Sequence, residues 1–139
     1  WETFYKNAMS LLEKDENFEG AKPKEKLLSF YFTFFEVLLL NRSYVLFALS
    51  GSDNMMMKMR QLSSLRKMFK AFSAELIEDG NVDKPSYLQH SPKIFSEAAW
   101  LQLGFLIKFP YIIIFPQTFF NYKIFVYKHI ISFISLYFN

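Results

Sequence analysis

The feature that most constrains this chain is an apolar stretch from Leu27 to Leu49, LLSFYFTFFEVLLLNRSYVLFAL. Its non-apolar residues are Ser29, Thr33, Glu36, Asn41, Arg42 and Ser43. A segment this apolar must be buried on nearly every side, because water solvates it poorly. Whether it is buried against lipid, against the protein core or against a ligand therefore decides the class of protein.

The polar residues within this stretch argue against lipid. A membrane-spanning helix needs about 20 consecutive apolar residues, and a carboxylate at its centre costs about 3 kcal/mol. Glu36 interrupts the first apolar run, and the polar corner at residues 41–43 closes it. Pro23 suits the first turn of a helix, and Asn41 can end that helix and cap another. We therefore expect two buried helices, over residues 23–40 and 42–49.

Helical periodicity predicts three further helices. Apolar residues recur at spacings of three and four over residues 1–14, from residue 52 or 53 to 79, and over residues 92–107. Ser52 or Asp53 is the expected N-cap of the long helix, which should stop at Gly80, and Ser91 caps the next one. Residues 15–22 and 81–89 are expected to be loops. The pattern predicts an all-α bundle of about five to seven helices.

The sequence changes character at Lys108. Residues 109–139 are dense in Phe, Tyr and Ile, contain no acidic residue and show no regular polar face. The longest charge-free run is the fourteen residues 109–122, and Pro116 divides it, so it is too short and too broken for a standard spanning helix. We expect a strand over residues 111–115 and a helix over residues 122–137 in an otherwise irregular aromatic tail.

Length and charge narrow the function classes. The 139 residues suffice for one domain, and the absence of cysteine removes disulfides, thiolate metal sites and cysteine nucleophiles, which fits a cytoplasmic protein. The net charge is +3, and it is unevenly distributed, because twelve of the thirteen acidic residues precede Pro85 and leave the tail without acids. The basic residues of the long helix lie opposite its apolar stripe, where a solvated face explains them: Lys58, Arg60, Arg66, Lys67 and Lys70. Nucleic-acid binding is therefore poorly supported.

Catalytic and metal-binding patterns are also missing from the sequence. His90 and His129 lie far apart in sequence and have no acidic cluster at ligand spacing beside them. No glycine-rich phosphate loop, nucleophile elbow or paired-carboxylate arrangement occurs. We therefore expect no catalytic residue, no metal and no cofactor, and an enzyme is disfavoured.

The order of three segments suggests a family. WETFYKNAMSLLEKDENF is followed by PKEKLLSFYFTFFEVLLLNRSYVLFAL, then by the long helix, and then by SEAAWLQLGFLIKF. This order resembles the C-terminal regulatory domain of TetR-type transcriptional regulators. It is closest to a group of Bacteroidetes-like members with the same aromatic helix pair. The resemblance covers about residues 1–109.

The resemblance implies an all-helical domain that binds a small, often apolar effector between its helices and forms a homodimer through its last two helices. Effector binding in such a domain changes the spacing of two helix-turn-helix heads that read DNA. No such head precedes Trp1, so this chain by itself is not expected to contact an operator. Residues 110–139 depart from the family pattern, and we interpret them as an aberrant apolar tail, a frame-altered replacement of the last dimerisation helices.

Aromatic and methionine side chains are the candidate ligand contacts, because flat rings and adaptable thioethers suit an apolar cavity. The candidates are Phe30, Tyr31, Phe34, Tyr44, Phe47, Met56, Met59, Phe69, Phe72 and Trp100. The alternative is that the same residues simply fill the core. Glu36 and Arg42 are candidate polar anchors for an effector; alternatively, Glu36 forms a buried ion pair or is exposed to solvent.

Two other classes of protein remain open from the sequence. One is a small membrane-associated helical protein whose acid-free aromatic tail lies in a bilayer interface. The other is a helical interaction module whose core is filled and binds no ligand. The sequence favours the TetR-like regulatory domain over both.

Overall fold

The computed structural model describes residues 1–50, 55–107 and 119–138. Seven α-helices occur in these ranges: α1 (Glu2–Glu13), α2 (Glu16–Glu19), α3 (Pro23–Leu40), α4 (Arg42–Ser50), α5 (Met55–Asn81), α6 (Pro92–Ile107) and α7 (Phe119–Phe138). A short 3-10 turn, Ser86–Leu88, lies between α5 and α6. The described residues contain no strand, and the all-α prediction is confirmed. The predicted strand at residues 111–115 and the predicted caps at residues 52 and 53 lie outside them.

One predicted loop is partly helical. Residues 15–22 were expected to lack regular structure, but α2 forms within them. The Asp15 carboxylate accepts a hydrogen bond from the Asn17 backbone N–H at 3.0 Å, which satisfies one of the free donors at a helix start. This local cap stabilises a single turn that the mixed polar sequence did not indicate.

Asn41 separates α3 from α4. Its side-chain amide donates to the Val37 carbonyl at 2.8 Å, so it caps the end of α3. Its own carbonyl accepts from the Val45 N–H at 3.1 Å, which is the first backbone bond of α4. The predicted boundary between the two helices at Asn41 is confirmed.

Helix α3 lies at the centre of the bundle. It packs against α1, α4, α5 and α7, so it is covered on most of its circumference. Its buried residues are Leu27, Phe30, Tyr31, Phe34, Phe35, Val37 and Leu38. The prediction that this apolar helix is buried is confirmed, and it is buried against other helices of the same chain.

Helix α4 differs from the expectation of a second buried helix. Val45 is fully buried, whereas the side chain of Phe47 is 79% exposed and that of Tyr44 is 54% exposed. Among the described residues α4 packs mainly on α3, and its exposed side chains point away from that contact. The apolar character of residues 42–49 therefore overstated how deeply they are buried.

Helices α5 and α6 form the most extensive helix pair. At the turn between them, the Asn81 amide donates to the His90 carbonyl at 2.8 Å and its oxygen accepts from the His90 N–H at 3.1 Å. Further along the pair, the Glu97 carboxylate on α6 accepts hydrogen bonds from Lys70 and, at 3.3 Å, from Arg66 on α5. Directional contacts therefore fix both the turn and the register of this hairpin.

Helix α7 packs onto the other helices. Ile130 and Ile134 are fully buried, and the Phe133 ring stacks on Phe95 of α6 at a centroid distance of 5.8 Å. The predicted helix over residues 122–137 is confirmed. Among the described residues, no helix combines the length and the apolarity needed to cross a membrane. The division of the chain near residue 109 stays a prediction.

The Glu97 contacts generate a pH-dependent prediction. Hydrogen bonds from Lys70 and then from Arg66 lower the pKa of Glu97 below its ordinary value of 4.5. A lowered folded-state pKa contributes stability that is present above the unfolded pKa and is lost as pH falls through the folded pKa. Glu97→Gln should therefore lower the urea midpoint slightly at about pH 7, and this difference should vanish at about pH 2.

Equilibrium unfolding in urea at both pH values measures this difference. Glu75→Gln, at an exposed glutamate on the same α5–α6 hairpin, is the matched control and should show a smaller difference at pH 7. A Glu97→Gln deficit that stays constant down to the acid limit would contradict the ion-pair explanation.

Candidate functional site

Six aromatic rings from α1, α3 and α5 meet at the centre of the bundle. We call Tyr5, Phe30, Tyr31, Phe34, Phe69 and Phe72 the aromatic cluster. Phe30 lies in its middle, with ring centroids 5.4 Å from Phe34, 5.4 Å from Phe69 and 5.2 Å from Phe72. The spacing of Phe30 and Phe34 places both rings on one face of α3, and Phe69 and Phe72 share a face of α5 in the same way.

The structure brings only some of the predicted ligand residues together. Phe30, Tyr31, Phe34 and Phe69 are fully buried in the cluster, and Phe72 is partly buried at its edge. Trp100 is partly buried on α6, outside the cluster. The candidates Met56 and Met59 lie outside the side chains that the structure describes.

The remaining candidates lie at the surface. The Tyr44 ring contacts Phe4 of α1 at 5.7 Å and is half exposed, and Phe47 is more exposed still. Glu36 and Arg42 are both exposed, so the structure shows the solvent-facing alternative for Glu36. An anchoring role for this pair would need an effector group that reaches the protein surface.

Tyr5 is a member of the cluster that sequence reasoning missed. Its ring lies 5.5 Å from Phe30, and its hydroxyl donates to the Met68 carbonyl at 3.5 Å. Burial, together with the charges of Glu75 and Glu13, raises the pKa of Tyr5 to about 12. Its place on the apolar stripe of α1 was a usable signal, because that stripe has to pack against the most apolar helix.

The polar atoms of the cluster are satisfied within the protein. The Tyr31 hydroxyl donates to the Gln102 side-chain oxygen at 3.1 Å, and burial raises the pKa of this phenol far above its ordinary value. Ser73, buried beside Phe69, donates to the Phe69 carbonyl at 2.9 Å. Both tyrosines are therefore neutral at physiological pH, and the cluster offers an uncharged, apolar environment.

The rings of the cluster fill one another's space. A surface depression of about 570 Å³ lies instead at the α5–α6 turn, where its lining is largely polar: Glu78, Asn81, Val82, Ser86, Gln89, His90, Ser91 and Pro92. This depression contains none of the predicted ligand residues. The Phe30 ring is packed at centroid distances of 5.2–5.4 Å from its neighbours, and the partly buried Phe72 is the cluster ring with the least burial.

The comparison with protein families decides the family. The family model described as Tetracyclin repressor-like, C-terminal domain, matches residues 26–110, which is more than half of the chain. The chain belongs to this family of TetR-like C-terminal domains. No curated protein and no solved structure matches the chain.

The match places the TetR-like domain on the described structure. It begins in the first turn of α3 and includes α3, α4, α5 and α6. Three rings of the cluster on α3 and two on α5 lie inside it, whereas Tyr5 on α1 precedes it. The resemblance noted in the sequence is thereby confirmed over residues 26–110, and residues 1–25 lie outside the match.

The packing of the cluster predicts the effect of truncating Phe34. This ring is fully buried and stacks on Phe30, so Phe34→Ala should lower the free energy of unfolding by about 3–5 kcal/mol. Chemical denaturation of the ligand-free protein measures this loss. Phe47→Ala removes an equal ring from an exposed position and should change the same quantity by less than about 0.5 kcal/mol. Equal small losses in both variants would show that Phe34 borders an empty cavity.

Proposed function

We propose that this chain is the effector-sensing and dimerisation domain of a TetR-like transcriptional regulator, and that it binds a small apolar ligand between its helices. The observation that carries the proposal is the aromatic cluster at the centre of the family-matched helices. Its position makes it sensitive to any molecule that enters the bundle, because α3 contacts four other helices. The role is sensing, and the proposal assigns no catalytic residue and no cofactor.

The chemistry of the cluster favours an apolar effector. Its rings offer flat hydrocarbon walls, and the hydroxyls of Tyr5 and Tyr31 already have acceptors. An ionised ligand group placed there would lose its hydration without gaining an opposite charge from the cluster, which is costly. Met68, partly buried against the core, adds an adaptable side chain beside the rings.

The outer face of α6 supports a homodimer. Ile94, Leu101 and Phe105 are 67%, 71% and 46% exposed, and their spacings of seven and four place them on one side of the helix. Tyr127 of α7 adds a half-exposed ring. A second copy of the chain would remove these side chains from water, which is the main driving force for such association.

The mechanism we propose is a population shift. An apolar ligand that displaces rings of the cluster binds one arrangement of the helices better than another, and it shifts the equilibrium by that difference in affinity. Because α3 contacts α7 as well as α5, the bias reaches the outer helices of the dimer. In the regulator this bias would alter the spacing of helix-turn-helix heads carried by another part of the protein.

Binding of an uncharged fluorophore tests the proposal. N-phenyl-1-naphthylamine becomes bright in apolar surroundings, so its emission should rise saturably with one site per chain. Phe72→Trp enlarges a partly buried ring of the cluster and should weaken probe binding about tenfold, because overpacking costs about 1–3 kcal/mol.

A matched control separates the site from the added tryptophan. Tyr87→Trp introduces the same side chain at a position that is 83% exposed on the 3-10 turn, and it should leave the probe affinity unchanged. An emission rise that never saturates, or equal weakening in both variants, would contradict an effector site at the cluster.

A further inference from the structure

A chain of two hydrogen bonds joins the aromatic cluster to the outermost helix. The Tyr31 hydroxyl on α3 donates to the Gln102 side-chain oxygen on α6 at 3.1 Å. The Gln102 side-chain nitrogen then donates to the His129 backbone carbonyl on α7 at 3.1 Å. Three helices that lie far apart in sequence are therefore connected through a single amide side chain.

Chemistry fixes the direction of both bonds. A backbone carbonyl only accepts, so the Gln102 amide must present its NH₂ group to His129. The amide oxygen then faces Tyr31, and the phenol has to donate its proton to it. Rotating the amide would place its oxygen against the His129 carbonyl oxygen with no proton between them, so only one orientation of the Gln102 amide satisfies both bonds.

The ring of Tyr31 is part of the aromatic cluster, and its hydroxyl is part of the hydrogen-bond network through Gln102. The ring centroid lies 6.2 Å from Phe30 and 6.0 Å from Phe69, and the whole side chain is buried. A ligand that displaces these rings has to move the Tyr31 ring as well, because the packed cluster leaves it no free space. A displacement of about 0.5 Å already takes a 3.1 Å hydrogen bond beyond its normal range.

Several other contacts that the structure describes for α7 have a different character. Ile130 and Ile134 are buried apolar side chains, and Phe133 and Tyr137 pack against Phe95. Such contacts tolerate small sliding motions, whereas a hydrogen bond depends on both distance and angle. The apolar contacts hold α7 against the bundle, and the Gln102 bond to His129 restricts its position along them.

We propose that Gln102 is a positioning residue that couples the aromatic cluster to α7. Loss of the Tyr31 hydrogen bond frees the Gln102 amide, weakens its bond to His129 and loosens α7. The regulatory meaning of this coupling rests on the proposed effector site. The coupling itself is a property of the ligand-free chain and is testable without any effector.

Hydrogen exchange of the full chain, followed by mass spectrometry, tests the coupling. Tyr31→Phe keeps the ring and removes the hydroxyl, and it should accelerate exchange of the α7 amides around Ile130 and Ile134 by about fivefold, the effect of one net hydrogen bond. Tyr5→Phe is the matched control. It removes a phenol hydroxyl from the same cluster whose bond goes to α5, and α7 exchange should stay as in the parent protein.

Two substitutions of Gln102 distinguish coupling from a general loss of stability. Gln102→Met removes both bonds and should accelerate α7 exchange, and adding Tyr31→Phe to it should cause no further change. Gln102→Glu keeps an acceptor for Tyr31 but has no donor for the His129 carbonyl, so it should behave like Gln102→Met at α7.

Additive effects of Tyr31→Phe and Gln102→Met on α7, or equal effects of Tyr31→Phe and Tyr5→Phe, would overturn the proposal. If Tyr31→Phe proved too unstable to measure, unchanged α7 exchange in both variants at the partly exposed Gln102 would still overturn the proposal. Failure of the fluorophore to bind would contradict the effector site and leave this result standing. Normal probe binding together with additive exchange effects would support the effector site and contradict the coupling through Gln102.

Discussion

The burial of α3 on nearly all sides is the constraint on which the rest of this structure depends. A helix with aromatic and aliphatic residues on most of its circumference is stable only when other helices cover it. Helices α1, α4, α5 and α7 provide that cover, and the Phe30 ring meets side chains from α1, α3 and α5. Any change at Phe30 is therefore felt by several helices together.

Directional contacts lie around this apolar centre and fix the positions of the outer helices. Asn81 and His90 close the turn between α5 and α6, and Glu97 holds the register of the same pair. Gln102 extends the pattern to α7. Apolar packing supplies most of the stability, and these few polar contacts select one arrangement among the many that packing alone would permit.

The bounds of α3 and the apolar stripe of α5 followed from local signals in the sequence. Pro23 and Asn41 gave the limits of α3, and helical spacing put Phe69 and Phe72 on the apolar stripe of α5. These features depend on neighbours along one helix, which is why periodicity and capping rules predict them.

Features that depend on contacts between distant helices were not predictable. The exposure of Phe47 reflects how few helices cover α4, and the sequence of α4 alone carries no sign of this. The pairing of Tyr31 with Gln102 joins residues 71 positions apart, so no local pattern indicates it. The short α2 depends on one hydrogen bond that the Asp15 carboxylate accepts, and the mixed polar sequence around it did not indicate a helix.

We propose that α3 and its cluster belong to a sensing domain that acts as a dimer, and sedimentation equilibrium measures the mass of that assembly. The chain should sediment with twice its 16.6 kDa mass, Leu101→Lys on the exposed face of α6 should sediment as a single chain, and Leu40→Lys, at an exposed residue of α3, should remain a dimer. A single-chain mass for the unaltered protein across the concentration range would contradict the account, as would equal loss of the dimer in both variants.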